Sequence, residues 1–331
     1  MSTTDIRIKS IHHWLKQSLN LDVIEFKPAS SDASFRRYFR VIHHDGQQIV
    51  MDAPPEKEDT KPFIKIAALF KKTGINVPEI YHHDQKQGFL LLEDFGSICY
   101  LDQLTDDNAI DLYQSAFNSL FQLQIKSSLT RNHLPHYDET LLNRELSIFY
   151  DWFLGQHLGL TLTENIKSNL NSLLIQSALD QPQVCVHRDF HSRNLMVTAK
   201  NSPGIIDFQD AVIGPITYDL VSLLRDCYIT WPEQKVEQWM TLYFQKITDA
   251  GLIDVNLDMF TRWFDLMGLQ RHLKAIGIFS RLHLRDQKPD YLTDIPRTIT
   301  YVQQVCNKYP ELADFNQILI QTILPAYKNK Q

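Results

Sequence analysis

The segment Val186-His187-Arg188-Asp189-Phe190-His191-Ser192-Arg193-Asn194, followed after a short apolar stretch by Ile205-Ile206-Asp207-Phe208, sets a carboxylate, an amide and a second carboxylate at fixed spacing. Phosphoryl transfer needs such a set: one carboxylate to take the proton of an attacking hydroxyl, and hard oxygen donors to hold magnesium across nucleotide phosphates. On that chemistry Asp189 is the base, and Asn194 and Asp207 are the metal ligands. The loop must turn Asp189 toward an acceptor and bring Asn194 back toward the metal, before the next strand delivers Asp207 from its end. Leu195-Met196-Val197 and Gly204-Ile205-Ile206 have the pattern of two short strands, with Lys200-Asn201-Ser202-Pro203-Gly204 as the turn. A polar loop with satisfied carboxylates would account for any one of these residues, but not for their joint spacing.

The rest of the chain must position these groups. Residues 5–19 place Ile6, Ile8, Ile11, Trp14, Leu15 and Leu19 largely on one face at helical spacing, an amphipathic helix that packs on the domain behind it. Strand patterns follow at 23–26, 37–41 and 48–51, and Asp45-Gly46 turns the last two into a hairpin. A helix over about 59–73, ended by Gly74, precedes strands near 79–82 and 88–92. Helical patterns then dominate, at 106–125, 140–158, 163–178, 216–227, 232–250, 258–284 and 291–305. The expectation is an α+β protein with a small antiparallel-sheet N-terminal lobe, residues 1–95, and a mostly helical C-terminal lobe, residues 96–331. Glu93-Asp94-Phe95-Gly96 is the expected hinge, where main-chain groups at Glu93 and Phe95 would bond an adenine edge.

With 331 residues, 44% of them hydrophobic, the chain can bury a large core, and its length suggests two lobes. A net charge of -6 without any long Lys/Arg block argues against nucleic acid or an anionic membrane as the main partner. The first seven residues lack the basic-then-apolar pattern of a secretory signal, and no run approaches the roughly 20 apolar residues of a membrane span, so a cytoplasmic small-molecule enzyme is expected. Cys99, Cys185, Cys227 and Cys306 have no C-x-x-C spacing and read as core thiols. The pairs His12-His13, His43-His44 and His82-His83 lack a third ligand at metal spacing and read as surface residues.

His187-Arg188-Asp189 through Asn194, with Asp207-Phe208-Gln209-Asp210 and Tyr218-Asp219-Leu220, resemble the aminoglycoside phosphotransferase and choline kinase superfamily over nearly the whole chain. The resemblance implies a bilobal protein-kinase-like fold that uses ATP and Mg2+. In a protein kinase a long activation segment follows the D-F motif; here only residues 211–217 intervene, which favours a small-molecule acceptor. A narrower resemblance rests on Ser30-Ser31-Asp32-Ala33-Ser34-Phe35-Arg36-Arg37-Tyr38-Phe39-Arg40, Met51-Asp52-Ala53-Pro54-Pro55, Leu223-Leu224-Arg225-Asp226, and Gln270-Arg271-His272-Leu273-Lys274 with Gly277-Ile278-Phe279. These segments are similar to the bacterial anomeric sugar kinases of cell-wall recycling. That similarity implies transfer to the anomeric hydroxyl of N-acetylmuramate and N-acetylglucosamine, and a sugar 1-phosphate that a uridylyltransferase then activates.

Two departures shape the remaining site assignments. The loop at 30–36 has no glycine, so Ser30, Ser31 and Ser34 would bond phosphate through hydroxyls and amides. Met51-Asp52 stands where a phosphate-pairing lysine belongs, so the cation must come from Arg37 or Arg40 on the second strand, ranked first because successive side chains alternate faces, or from Lys65 on the helix. A solvated strand face is the competing reading for either arginine. For the sugar, Asp226, Arg225, Arg271 and His272 are the candidates, with Arg225 and Arg271 also offered for the carboxylate of a 3-O-lactyl group; a salt bridge or cap is equally compatible with each. His187, Arg188 and Asp219 are assigned to ordering the catalytic loop, and Tyr150, Trp152, Phe153 and Trp263 to the core. Two other readings stay open: a kinase for an aminoglycoside, choline or hydroxy amino acid, and a nucleotide-binding pseudokinase. A cationic acceptor calls for an acidic, aromatic pocket, and the Arg225, Arg271, His272 set points the other way.

Overall fold

In the computed structural model, which describes residues 5–31 and 35–330, the chain divides into two compact units. One comprises Met1–Cys99 with Met196–Gln209, the other Tyr100–Leu195 with Asp210–Gln331.

The first unit is built on five antiparallel strands, β1 (Val23–Ser31), β2 (Arg37–His43), β3 (Gly46–Asp52), β4 (Ile80–Asp84) and β5 (Phe89–Glu93), in the order β1-β2-β3-β5-β4. Alternation decides what covers one face. Phe39 and Val41 of β2, Val50 of β3 and Phe89 and Leu91 of β5 share that face and bury Ile11, Trp14 and Leu15 of the leading helix. That helix, α1 (Ile6–His13), is prolonged by a widened π turn through Ser18. β5 is buried at every position from Phe89 to Leu92, as its unbroken apolar run requires of a strand covered on both faces. α2 (Lys61–Thr73) ends at Gly74, whose φ of 87° suits a residue without a Cβ. β1 is longer than the pattern at 23–26 suggested. Its polar Lys27-Pro28-Ala29-Ser30-Ser31 tail pairs with β2 as far as Ser31 opposite Arg37, and Pro28 is tolerated because β1 is an edge strand.

The second unit opens with α3 (Tyr100–Gln103), α4 (Ala109–Ile125), α5 (Glu139–Ile148), which runs on through π turns to Leu158, and α6 (Glu164–Leu179). β6 (Gln183–Val186) leads into the catalytic loop, and the chain then forms the hairpin β7 (Leu195–Met196) and β8 (Gly204–Ile205). β9 (Val212–Pro215) returns to pair antiparallel with β6, from Gln183 opposite Pro215 to Val186 opposite Val212. Helices α7 (Tyr218–Leu224), α8 (Glu233–Asp249), α9 (Leu257–Asp286), α10 (Ile295–Lys308), α11 (Ala313–Ile318) and α12 (Leu324–Lys328) complete it. The 30-residue α9 is buried along most of its length, so it forms the spine of this unit.

The division departs from the expected lobes of 1–95 and 96–331. The hairpin segment joins the first unit because Val197 N–H donates to the Ile98 carbonyl at 2.9 Å and Ile205 N–H to the Asn76 carbonyl at 2.7 Å. Phe208 adds ring contacts with Phe63 and Phe70, at centroid distances of 4.8 and 5.8 Å. Among the described residues, no helix is long and apolar enough to cross a membrane.

Candidate active site

The catalytic loop of the second unit begins with a strained residue held by a buried carboxylate. Arg188 has φ 79°, a left-handed conformation that is unusual for a side chain of this size. The fully buried Asp219, in the first turn of α7, accepts His187 N–H at 2.7 Å and Arg188 N–H at 2.9 Å, fixing the main chain just before Asp189. The loop then closes on itself. His191 N–H donates to the Asp189 carbonyl at 3.0 Å, Asn194 N–H to the His191 carbonyl at 2.9 Å, and Asn194 Nδ2 to the Asp189 carbonyl at 3.0 Å. The last bond orients the Asn194 amide with its Nδ2 side turned to the loop, so Oδ1 is the oxygen donor it presents elsewhere.

A buried ion cluster lies behind this loop. Glu145 of α5 takes hydrogen bonds from Arg188 and the Tyr137 hydroxyl, and an ion pair from Lys274 Nζ at 3.0 Å; Lys274 also donates to the Tyr218 hydroxyl at 3.1 Å. Burial raises the Asp189 carboxyl, but the positive charges of Lys274 and Arg188 outweigh it and hold the group below the ordinary carboxylate value. Asp189 is therefore an anion, the state a proton acceptor needs. Neither Glu145 nor Lys274 was assigned from the sequence.

Asp226, offered for the sugar, is bonded to the same loop. Its Oδ2 accepts from Ser192 N–H at 2.9 Å and Ser192 Oγ at 2.5 Å, and its Oδ1 from Tyr228 N–H at 3.0 Å. The other sugar candidates also have partners within this unit. Arg225 is 4% exposed and bonds Asp265 at 2.8 Å and Glu233 at 2.5 Å. His272 is fully buried, donates Nε2–H to the Arg225 carbonyl at 2.9 Å and stacks on Tyr301. Arg271 is buried, with Nη1 3.6 Å from Cys227 Sγ. The physical reason is common to all: buried charged and polar groups survive only with hydrogen-bonding or ionic partners. Phe153 and Trp263 are buried as expected of core, whereas Tyr150 and Trp152 line a cavity of about 540 Å³ with Lys167.

In the first unit, Asp207 has φ 64°. Its Oδ1 accepts from Gln209 Nε2 at 2.7 Å and lies 3.5 Å from Arg36 Nη2. Arg36, passed over in the sequence reading, is thus the arginine of this loop that reaches Asp207. Arg37 and Arg40 are engaged elsewhere. Arg37 stands directly opposite Asp52 in the β2–β3 register and donates Nε to it at 3.0 Å, with Asp5 as a second partner, while Arg7 Nε bonds the other Asp52 oxygen at 2.7 Å. Arg40 clamps Asp94 at 2.5 and 2.9 Å and the Gly96 carbonyl at 2.9 Å, so its guanidinium is held within the first unit. Lys65 is exposed on α2. At the hinge, Glu93 N–H donates to the Glu79 carbonyl at 2.8 Å and so serves the sheet. The Phe95 ring lies against Gly204, where a Cβ would come within 2.5 Å of it. Ser34 falls outside the described residues, as do the side chains of Ser30 and Ser31 at the end of β1.

The donor chemistry suits magnesium. An amide oxygen on Asn194 and a carboxylate on Asp207 are hard ligands of the kind that hold this ion by one or two protein groups while phosphates supply others.

Comparison with known proteins agrees with this chemistry. A family model described as "Phosphotransferase enzyme family" matches residues 25–251. A Pseudomonas aeruginosa protein named N-acetylmuramate/N-acetylglucosamine kinase is 44% identical over 329 residues, covering 95% of this chain and 96% of its own. Among solved structures, choline kinase LicA from Streptococcus pneumoniae superposes with a TM-score of 0.65 at 14% identity, covering 90% of this chain and 99% of its own. The ADP-bound aminoglycoside phosphotransferase APH(2'')-Ib gives a TM-score of 0.57 at 14% identity, covering 89% and 98%. The fold is therefore the α+β, protein-kinase-like one expected from the motifs.

Proposed function

The chain belongs to the phosphotransferase enzyme family, and from that footing we propose that it phosphorylates the anomeric hydroxyl of N-acetylmuramate and N-acetylglucosamine with ATP, giving the sugar 1-phosphate. The observation that carries the substrate is the 44% identity to the Pseudomonas aeruginosa kinase over 95% of the chain. The catalytic loop supports the reaction type.

In this reading the anomeric oxygen attacks the γ-phosphorus, its proton passes to the Asp189 carboxylate, and the bond to the bridging oxygen breaks to leave ADP. An anomeric hydroxyl is more acidic than an ordinary alcohol, so Asp189 chiefly orients it and takes the proton late, help typically worth about 10²–10⁴-fold. Magnesium, when bound, would sit on Asn194 and Asp207 and offset charge on the phosphates. Asp219 and Asp226 keep the loop in the conformation that presents Asp189 and Asn194. Arg36 takes the place we assign to the absent lysine, and the hinge main chain near Glu93 and Phe95 takes the adenine. The setting is cytoplasmic, with a uridylyltransferase as the next consumer of the product.

ADP release with magnesium and ATP across N-acetylmuramate, N-acetylglucosamine, glucose, choline and an aminoglycoside tests this. Turnover concentrated on the two N-acetylated sugars is expected. Turnover on choline or the aminoglycoside alone would discard the substrate.

A further inference from the structure

The two acceptors proposed above differ by one feature, a 3-O-lactyl ether whose carboxylate is ionised at neutral pH. A site that takes both has to meet that charge in one case and leave room for its absence in the other. With Arg225 and Arg271 buried and occupied, the cation must lie elsewhere.

Arg193 has the required properties. It lies on the catalytic loop, between Ser192, which Asp226 fixes through main chain and hydroxyl, and Asn194, whose amide is tied to the Asp189 carbonyl. Its side chain is exposed, and its guanidinium rests 3.6 Å over the Tyr228 ring. Among the described residues no carboxylate forms an ion pair with it. Asp294, whose carboxyl feels the Arg193 charge, is already bonded to Arg297 at 3.0 Å.

Tyr228 is itself fixed. Its N–H is bonded to Asp226 at 3.0 Å, its ring meets His191 edge-on at 5.2 Å, and Phe279 supports it at 6.3 Å. One carboxylate, Asp226, thus locks both the catalytic loop and the platform under Arg193. An arginine held by a ring keeps its planar fork pre-organised, so less freedom is lost when it grips a carboxylate through two N–H groups. An exposed guanidinium held on a ring, without a carboxylate partner among the described residues, on the loop that carries the proposed base is a costly arrangement for a loop that needs only to turn, and a useful one for reading an anionic acceptor.

We infer that Arg193, positioned by Tyr228, binds the carboxylate of the acidic acceptor and sets the preference for N-acetylmuramate over N-acetylglucosamine. The inference rests on the amino-sugar reading.

The test is the ratio of kcat/KM for the two sugars in Arg193→Ala, Arg193→Lys and the unaltered enzyme, with the methyl ester of N-acetylmuramate as a third acceptor. Loss of a charge-assisted bond should lower the ratio by about 10- to 100-fold in Arg193→Ala, mainly through KM, with partial recovery in Arg193→Lys. In the unaltered enzyme the ester should lose a similar factor relative to the acid, a measurement that needs no variant. A purely structural Arg193 would depress both sugars alike and leave acid and ester equal, which would overturn the inference while leaving the sugar-kinase reading intact. Absence of turnover on either sugar by the unaltered enzyme would remove that reading itself, and this inference with it.

Discussion

Asp189 is ionised in a place that burial disfavours, because the charges of Lys274 and Arg188 favour its anion and Glu145 in turn balances those two cations. The proposed base, its counter-charges and their counter-ion form one charge-balanced set, and in our reading the base is the member that meets the acceptor. Asp189→Asn should lower kcat by about 10²–10⁴-fold while nucleotide affinity, followed by titration calorimetry, stays near its starting value. Arg40 shows the opposite case, a charge with a purely architectural task. Its removal strands the Asp94 carboxylate, which is 1% exposed, so Arg40→Ala should cost about 3–5 kcal/mol in a denaturant titration. Asp189, Asn194 and Asp207 could be proposed from the sequence because their chemistry fixes their spacing along a single short stretch. Glu145 and Lys274 were not, since their partners arrive from distant segments of α5 and α9. Arg225, Asp226, Arg271 and His272, offered for the sugar, are buried and bonded within the fold, which residue type alone does not reveal.

α9 shows what an element contributes. Its helical pattern was legible over 258–284 and the helix spans Leu257–Asp286, since a long apolar period is a strong signal. Gly277 marks where it crosses the end of α5: a Cβ there would come within 2.6 Å of the Ile148 carbonyl carbon and oxygen, which are backbone atoms. Gly277→Ala should therefore destabilise the protein by about 1–3 kcal/mol, measured by chemical denaturation. His272, on the same helix, gives a pH dependence. Burial and then the Arg271 charge push its imidazole from 6.5 down to about 3. The unfolded chain therefore takes up a proton that the folded chain refuses, so the stabilising contribution is complete above pH 6.5 and is lost as pH falls toward 3. The expected slope is about 1.4 kcal/mol per pH unit over the interval just below 6.5. Melts at pH 7, 6 and 5 should show a shallower slope in His272→Asn; an unchanged slope would show that another group titrates. Shorter elements were harder to read. β6 and β9 are four residues each, and α11 and α12 are six and five, so neither period develops before the element ends.

At the scale of the molecule, the antiparallel sheet and the helical remainder were legible from the order of elements, while the boundary was not. Residues 196–209 join the first unit through main-chain bonds to Ile98 and Asn76 and through Phe208, contacts that leave no local mark in the sequence. A ligand that binds only the folded chain stabilises it: Mg-ATP at about 100 times its Kd should add about 2.7 kcal/mol, read as a rise in Tm. The central claim is transfer of the γ-phosphoryl group to the anomeric oxygen of an N-acetylated amino sugar, and phosphorus NMR of the product made from ATP and N-acetylmuramate tests it most directly. A phosphorus resonance coupled to the anomeric proton, formed in step with ADP and lost in Asp189→Asn, is the expected result. Phosphate on any other oxygen, or an unchanged product yield in Asp189→Asn, would contradict the account.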